Sequence, residues 1–339
     1  MDVWILSDGR PGHFNQSKGM VLALRRNYEV AELWIEARAR SSVARSVMRA
    51  LLNGLRGRMP LGVLRALCRL GELPPRPPEL LVSAGGNTCH ANAWLARHFN
   101  CRNLFCGTLR GLRAELFSGV VTYEAGREKD DRFILGPTPV AVEKEAVEEE
   151  GRKFRDAATL GEARLWTLLV GGEGAGYAWT KADWNRLAQA LARMSADHGV
   201  RWVVVTSRRT GAEGDEMLAA AVDPKAVAAA TYVTGVEEVS YAAALGCAER
   251  IFCTEDSHMM ITEGMAAGRP VHTLQPAAFE TDPSNQQFLT MYEQRRFITR
   301  HRVEALAKGP FEVPSGLEVQ ERPGVDQLAG ELNAWWEKG

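Results

Sequence analysis

Short apolar runs that end in glycine-rich or polar turns alternate along the chain with stretches whose apolar positions recur at helical spacing. Residues 3–6, 31–35 and 80–83 read as strands, with a helix from about 15 to 26 after the first. A loop at 84–87 and a helix to about 99 follow the third, and strands at 103–106, 119–123 and 133–135 continue the series. The pattern then restarts with a strand at 166–170, a loop at 171–177, a helix over 181–197 and a strand at 202–206. A strand at 251–253, a helix over 257–267 stopped by Gly268 and Pro270, and a strand at 271–274 complete the second series. Strands alternating with helices predict βαβ units and parallel sheets. The expectation is an α/β protein of two doubly wound Rossmann-like domains facing a cleft, at 1–145 and 160–315. The charged stretch 143–156 has no continuous apolar face and reads as a connector. A helix at 325–337 carries Leu328, Leu332, Trp335 and Trp336 on one side, so 316–339 is expected to pack back on the body.

Ligands in such sheets bind beyond the carboxyl ends of strands, which directs attention to five loops. The first reads Ser7-Asp8-Gly9-Arg10-Pro11-Gly12-His13-Phe14-Asn15-Gln16. His13 is a candidate base, histidine being the residue type suited to proton transfer near neutral pH, and Asp8 is its competitor. Gly12, Asn15 and Gln16 are candidate substrate contacts beside them, as are Gly85, Gly86 and Asn87 in the loop after the third strand. The bland reading is that Asp8 and Asn15 cap turns and His13 is a surface residue.

In the second half, Gly171-Gly172-Glu173-Gly174-Ala175-Gly176, with Tyr177 after it, follows a strand, so its amides could cradle a phosphate. A nicotinamide site wants an acidic residue at the end of the next strand. That strand ends instead in Thr206-Ser207-Arg208-Arg209-Thr210, residues suited to phosphate, the alternative being an ordinary polar loop. Asp256 or Ser257 is expected to cap the helix over 257–267, with Met259 and Glu263 along it. A carboxylate at Glu263 could accept from ribose hydroxyls.

Composition limits the classes further. In 339 residues the net charge of −1 gives no reason to expect nucleic acid, and no apolar run reaches the 18 or more residues of a membrane span. The start MDVWILSDGR has no basic segment of the kind that opens a signal peptide. Six scattered cysteines without a close pair point to free thiols in a reducing cytoplasm. Cys89, His90, His98, Cys101 and Cys106 raise the question of zinc, but their placement favours buried apolar roles, and no metal is expected. Eight arginines, from Arg38 to Arg69, punctuate an acid-free stretch between Ala37 and Gly71, interleaved with Val47, Met48, Leu51, Leu52, Leu55, Met59, Leu61, Val63, Leu64 and Leu67. Basic amphipathic helices over about 38–71 are expected to touch an anionic membrane, a plain arginine-faced surface helix being the alternative.

The first loop, the Thr206–Thr210 segment and the stretch from Glu255 to Pro270 together resemble the mitochondrial-fission ELM family of bacteria and plants. A more distant likeness is to the GT-B enzymes that add N-acetylglucosamine to peptidoglycan lipid I. That likeness implies a base at His13, a Gly171-Gly172 loop on the donor, ribose at Glu263, and donor-sugar contacts from Gln286 and Gln287. The first loop departs from it, being Asp-Gly-Arg-Pro-Gly-His where a run of glycines is usual. Together these imply a metal-independent glycosyltransferase without cofactor, at the cytoplasmic face of the membrane, moving sugar from a nucleotide-sugar donor to a lipid-linked acceptor. Two other implications stand beside it: a recruitment scaffold with a non-catalytic fold, and a nucleotide-sugar epimerase.

Overall fold

The computed structural model describes residues 1–122, 126–127, 130–136, 138–281, 283–314 and 324–338. The chain forms two compact units, one of Met1–Ala141 with Gly324–Gly339, the other of Val142–Pro323.

The first unit runs β1 (Asp2–Ser7), α1 (Pro11–Arg25), β2 (Ala31–Ala39), α2 (Ser42–Gly54), α3 (Leu61–Leu67), β3 (Cys68–Leu70), β4 (Leu80–Ala84), α4 (Cys89–Phe99), β5 (Arg102–Cys106), β6 (Gly119–Thr122) and β7 (Phe133–Leu135). Its sheet has the order β3-β2-β1-β4-β5-β6-β7 and is parallel except for β3, which pairs antiparallel with β2. Tyr123, expected at the end of a strand, lies outside the described residues. Alternate strand residues enter two cores. Trp4, Leu6, Leu81 and Phe105 pack under α2, α3 and α4, while Val3, Ile5, Val82 and Leu104 pack under α1 and a late helix. Helices therefore cover both faces, as continuous apolar strands require.

The second unit runs α5 (Lys144–Ala157), β8 (Arg164–Val170), α6 (Lys181–His198), β9 (Val200–Thr206), α7 (Gly211–Ala221), β10 (Val227–Thr231), α8 (Tyr241–Gly246), β11 (Arg250–Thr254), α9 (His258–Ala266), β12 (Val271–Gln275), α10 (Pro283–Gln294), β13 (Ile298–Arg302) and α11 (Val303–Lys308). All strand pairs are parallel, in the order β10-β9-β8-β11-β12-β13. Its core centres on Trp166, Trp202, Phe252 and Phe311, which meet in edge and stacked contacts. In both sheets the order reverses at one place: between β1 and β4 in the first, between β8 and β11 in the second. Helices to either side diverge there and leave a crevice at the carboxyl ends of the strands.

Three expectations need correction. The 143–156 stretch is no free connector: α5 buries Val147 and Gly151 and packs on α8. A Cβ on Gly246 would lie 1.6 Å from the Val147 carbonyl oxygen, and one on Gly151 would lie 2.4 Å from the Gly246 carbonyl carbon. The two helices thus meet backbone to backbone, which an apolar-face criterion cannot see. The arginine-rich stretch is not helical throughout, since its ends pair as strands through Arg38 and Arg69. Of its apolar residues, Met48, Leu52, Met59 and Leu64 are buried in the core; only Val47, Leu55 and Val63, joined by Val43, are well exposed.

The late helix α12 (Gly324–Glu337) belongs to the first unit, while residues 316–323 lie outside the described residues. Val325, Leu328, Leu332 and Trp335 are buried against α1 and the sheet. Gly119 on β6 makes room, because a Cβ there would lie 2.7 Å from the Trp335 ring. Arg102 lies over both Trp335 and Trp336, at 4.3 and 4.1 Å from the ring centroids. It also donates to the Trp336 and Trp335 carbonyls at 2.7 and 3.0 Å, satisfying acceptors that a helix end leaves open.

Candidate functional site

In the first unit the crevice between β1 and β4 is built from the loop Asp8-Gly9-Arg10 and the loop Gly85-Gly86-Asn87. Asp8 follows β1 directly, and its side chain is fully buried. Pro11 opens α1 at the position where its missing N–H costs nothing, and that start places His13 in the first turn, facing back to the strand end. His13 Nδ1 donates to Asp8 Oδ2 at 2.9 Å, and Asn87 Nδ2 donates to the same oxygen at 2.8 Å. Burial alone would raise the Asp8 pKa. The Asn87 amide, the His13 charge and the Arg10 backbone N–H outweigh it and hold the carboxyl below its ordinary 3.8. Asp8 is therefore a carboxylate that fixes the imidazole with Nδ1 protonated, leaving Nε2 as the basic atom. The His13 ring lies so close to Gly85 that a Cβ there would meet it at 2.2 Å, and Gly85 is also left-handed, with φ of +81°.

Beside this pair opens a cavity of about 470 Å3. His13, Gly86 and Asn87 line one side. Helix α2 supplies Ser42, Arg45, Ser46 and Arg49, and Arg10, Arg110 and His90 complete the wall. On α2 the spacing 42, 45, 46, 49 is one stripe, the buried residues 44, 48 and 52 form a second, and the exposed Val43 and Val47 a third. Gly12, Asn15 and Gln16 lie on α1, outside the cavity lining. Arg45, Arg49, Arg110 and His90 were not picked out from sequence as site residues. Serine and arginine at helical spacing opposite a core stripe is the sequence signal for this wall, and the same residues are the ones that suggest membrane contact.

In the second unit three loops close on one another at the ends of β8, β9 and β11. The Gly171 amide donates to Thr254 Oγ1 at 2.8 Å, Glu173 to the Arg209 carbonyl at 3.2 Å, and Gly174 and Tyr177 to each other's carbonyls. The expected amide cradle is thus largely engaged within the protein. Ser207 Oγ donates to the Gly171 carbonyl, Thr206 Oγ1 accepts from Val233, and Arg208 is exposed. Arg209 Nη2 donates to the buried Asp256 carboxylate at 2.6 Å. Asp256 therefore faces Arg209, and the residue that precedes α9, Ser257, makes no side-chain cap bond, contrary to the capping expected for this pair. Glu263, expected to face a ribose, is buried and accepts from the Tyr241 hydroxyl at 2.6 Å. Met259 is half-buried, while Gln286 and Gln287 are exposed on α10. Tyr177 donates to Glu255 at 2.8 Å and stacks on Phe279.

Burial pushes the Asp256 carboxyl up from 3.8 to about 6, with Arg209 pulling the other way. A raised folded-state value means this group favours the fold most below about pH 4, and the advantage is lost as pH rises through about 6. Asp256→Asn is expected to remove that decline. The difference in unfolding free energy between variant and wild type should therefore shift by about 3 kcal/mol from about pH 4 to about pH 7 in urea titrations.

The cysteines are free, all buried except the half-buried Cys101, and burial pushes the Cys89 and Cys106 thiols up to about 12. Among the described residues no group of three His, Cys, Asp or Glu is placed to hold a metal ion. Nor, among them, is any helix long and apolar enough to cross a membrane.

The chain matches the family model described as Mitochondrial fission ELM1 over residues 11–312. Among solved structures it is similar to the UDP-GlcNAc 2-epimerase from Methanocaldococcus jannaschii, at 13% identity and a TM-score of 0.55, with 100% of each chain covered. It is similar also to the UDP-GlcNAc 2-epimerase from Neisseria meningitidis bound to UDP-GlcNAc, at 9% identity and 0.51, again over 100% of each chain. A third match is the ADP-heptose heptosyltransferase II of E. coli, at 13% identity and 0.48, with 100% of each chain covered. No protein of curated function matches the sequence. At such identities the likeness is one of fold, the GT-B type of α/β architecture, in agreement with the two parallel sheets.

Proposed function

We propose that the chain, which belongs to the mitochondrial fission ELM1 family, is a glycosyltransferase that uses a nucleotide-sugar donor and an acceptor presented at a membrane surface. The observation that carries this reading is the Asp8–His13 pair at the switch point of the first sheet, with an open cavity beside it. A base oriented by a buried carboxylate serves a reaction in which a hydroxyl must lose a proton. His13 Nε2 takes the proton of the acceptor hydroxyl as its oxygen bonds to the anomeric carbon. The bond from that carbon to the nucleotide diphosphate breaks, and the diphosphate leaves with the bonding pair.

The second unit is the donor side of this proposal. Arg209, at the end of β9, and the start of α9 offer positive charge to the leaving diphosphate, so no metal need supply it. Membrane association draws its support from Val43, Val47, Leu55 and Val63, exposed within the arginine-rich segment. An epimerase is the second reading, favoured by the two UDP-GlcNAc 2-epimerases that share the fold.

Thermal-shift titration with UDP-, GDP-, ADP-, CMP- and dTDP-sugars is expected to show stabilisation by one nucleotide family, weakened in Arg209→Gln. A flat response from folded protein would sink the transferase reading. Conversion of UDP-GlcNAc alone to its 2-epimer, with no second substrate, would favour the epimerase.

A further inference from the structure

The arginines of the first unit's cavity have no role in the base chemistry itself. The four, Arg10, Arg45, Arg49 and Arg110, come from three separate places in the chain and meet in one cavity. Arg10 lies 3.8 Å from the Asp8 carboxylate. Arg45 donates only to the neutral Asn87 amide, at 2.9 Å. Among the described residues no carboxylate lies within ion-pair distance of Arg45, Arg49 or Arg110. Guanidiniums gathered in this way repel one another unless an anion enters between them, and their planar donor pairs match phosphate oxygens.

Three further features act in the same sense. Helices α1, α2 and α4 all begin at this cavity, and none has an acidic residue in its first turn. Their positive ends add to the arginine charge. His90, buried in the wall, is pushed down to about 4 by burial and by the Arg49 and Arg45 charges, so it does not add a cation of its own. Arg110 holds a left-handed backbone, φ +51°, before Gly111 at +80°, a conformation that costs a residue with a Cβ energy and turns the chain sharply there. Among the described residues the lining has no apolar side chain, so the occupant is hydrophilic where it sits, and the volume suits a phosphorylated sugar or headgroup, not an acyl chain.

We infer that this cavity is a phosphate site for the acceptor: the group that loses its proton to His13 belongs to a molecule carrying a phosphate monoester or diphosphate, held by Arg45, Arg49 and Arg110. The inference rests on the transferase reading for the word acceptor, but the phosphate site stands or falls separately. It explains why the base sits at the rim of a cationic cavity, since the phosphate anchors a hydroxyl of the same molecule near Nε2.

The test is calorimetric titration of the full chain with inorganic pyrophosphate, a hexose 1-phosphate and the parent hexose. Both phosphates are expected to bind and the hexose not. Arg45→Gln/Arg49→Gln is expected to weaken phosphate binding about thirtyfold or more. Arg110→Gln, made separately, should weaken it about tenfold, so the result does not hang on the folding of one variant. Absence of phosphate binding by wild type, or full-strength binding kept in both the double variant and Arg110→Gln, would overturn the inference.

Sedimentation with phosphatidylcholine vesicles, with and without phosphatidic acid, decides the source. Pelleting that needs phosphatidic acid and is competed by the hexose 1-phosphate identifies a lipid-borne phosphate. Binding of the soluble phosphate without pelleting identifies a free phosphosugar. Phosphate binding with no nucleotide-sugar response overturns the transferase reading alone; a nucleotide-sugar response without phosphate binding overturns this site alone.

Discussion

Replacing His13 with alanine is expected to lower turnover roughly a hundred- to ten-thousand-fold, with the fold intact and the donor KM little changed. The size of the effect follows from geometry. Nδ1 is held at 2.9 Å by a carboxylate with no exposure of its own, so the ring has one tautomer and one orientation before substrate arrives. Removing the ring forfeits about 3–5 kcal/mol of transition-state stabilisation by the same arithmetic. Asp8→Asn keeps the size of the orienting group but offers the ring either an acceptor or a donor, and is expected to cut turnover by a similar order. Steady-state kinetics on both variants, with circular dichroism to confirm folding, measure this. Wild-type turnover by His13→Ala at saturating substrates would refute the base assignment.

The largest stability effect is expected from Arg300→Leu. Glu255, at the end of β11, is fully buried and accepts from Arg300 Nε at 2.7 Å and Nη2 at 2.9 Å. Thr273 and Gln275 from β12 and Tyr177 from the glycine-rich loop fill its remaining acceptor sites, at 2.7, 3.0 and 2.8 Å. Burial by itself raises the Glu255 pKa; the Arg300 bonds and charge, with Thr273 and Tyr177, bring it below its ordinary 4.5. The depressed value means the carboxylate contributes stability above about 4.5 that fades as pH falls through the folded value. Without Arg300 a buried charge is left unbalanced, at a cost of about 3–5 kcal/mol near neutral pH. In the variant, burial is opposed only by the Thr273, Gln275 and Tyr177 bonds, so the carboxyl takes a proton more readily and the deficit should shrink on acidification. Urea unfolding at about pH 7 and about pH 4.5 reads both parts. An equal deficit at the two values would show that the charge is not what the arginine balances.

What could be read from the chain depended on where each element sits. Central strands such as β1 and β8 are buried on both faces, so their apolar runs stand out, and the expected 3–6 and 166–170 fall within the observed strands. The edge strands of the second sheet are less legible: β13 reads ITRHR and β10 the small-residue run VAAAT, and the pattern predicts neither, whereas the edge strand β7, FIL, is predicted. Helix α5 reads as a connector because its packing against α8 uses glycine backbone and few apolar side chains, which hydrophobic periodicity does not register.

The Asp8–His13 pair could be anticipated because both residues sit in one loop after one strand. Glu255 and Arg300 could not be paired beforehand, being 45 residues apart, one just after β11 and the other on β13, with β12 between those strands in the sheet. The arginines of α2 were visible as charge, but which way they face depends on Met48 and Leu52 turning inward, and that only packing decides.

Helix α12 also dictates an order of events during synthesis. The strands of the first unit are complete once β7 has left the ribosome, yet the groove beside α1 and β6 then lies open, with Gly119 and the apolar side of α1 facing water. It stays open while every described element of the second unit is made, and only then does Trp335 arrive to fill it. The earlier-made half of the protein is thus finished last, and a nascent chain stalled before Gly324 presents a sticky seam of the kind that chaperones recognise.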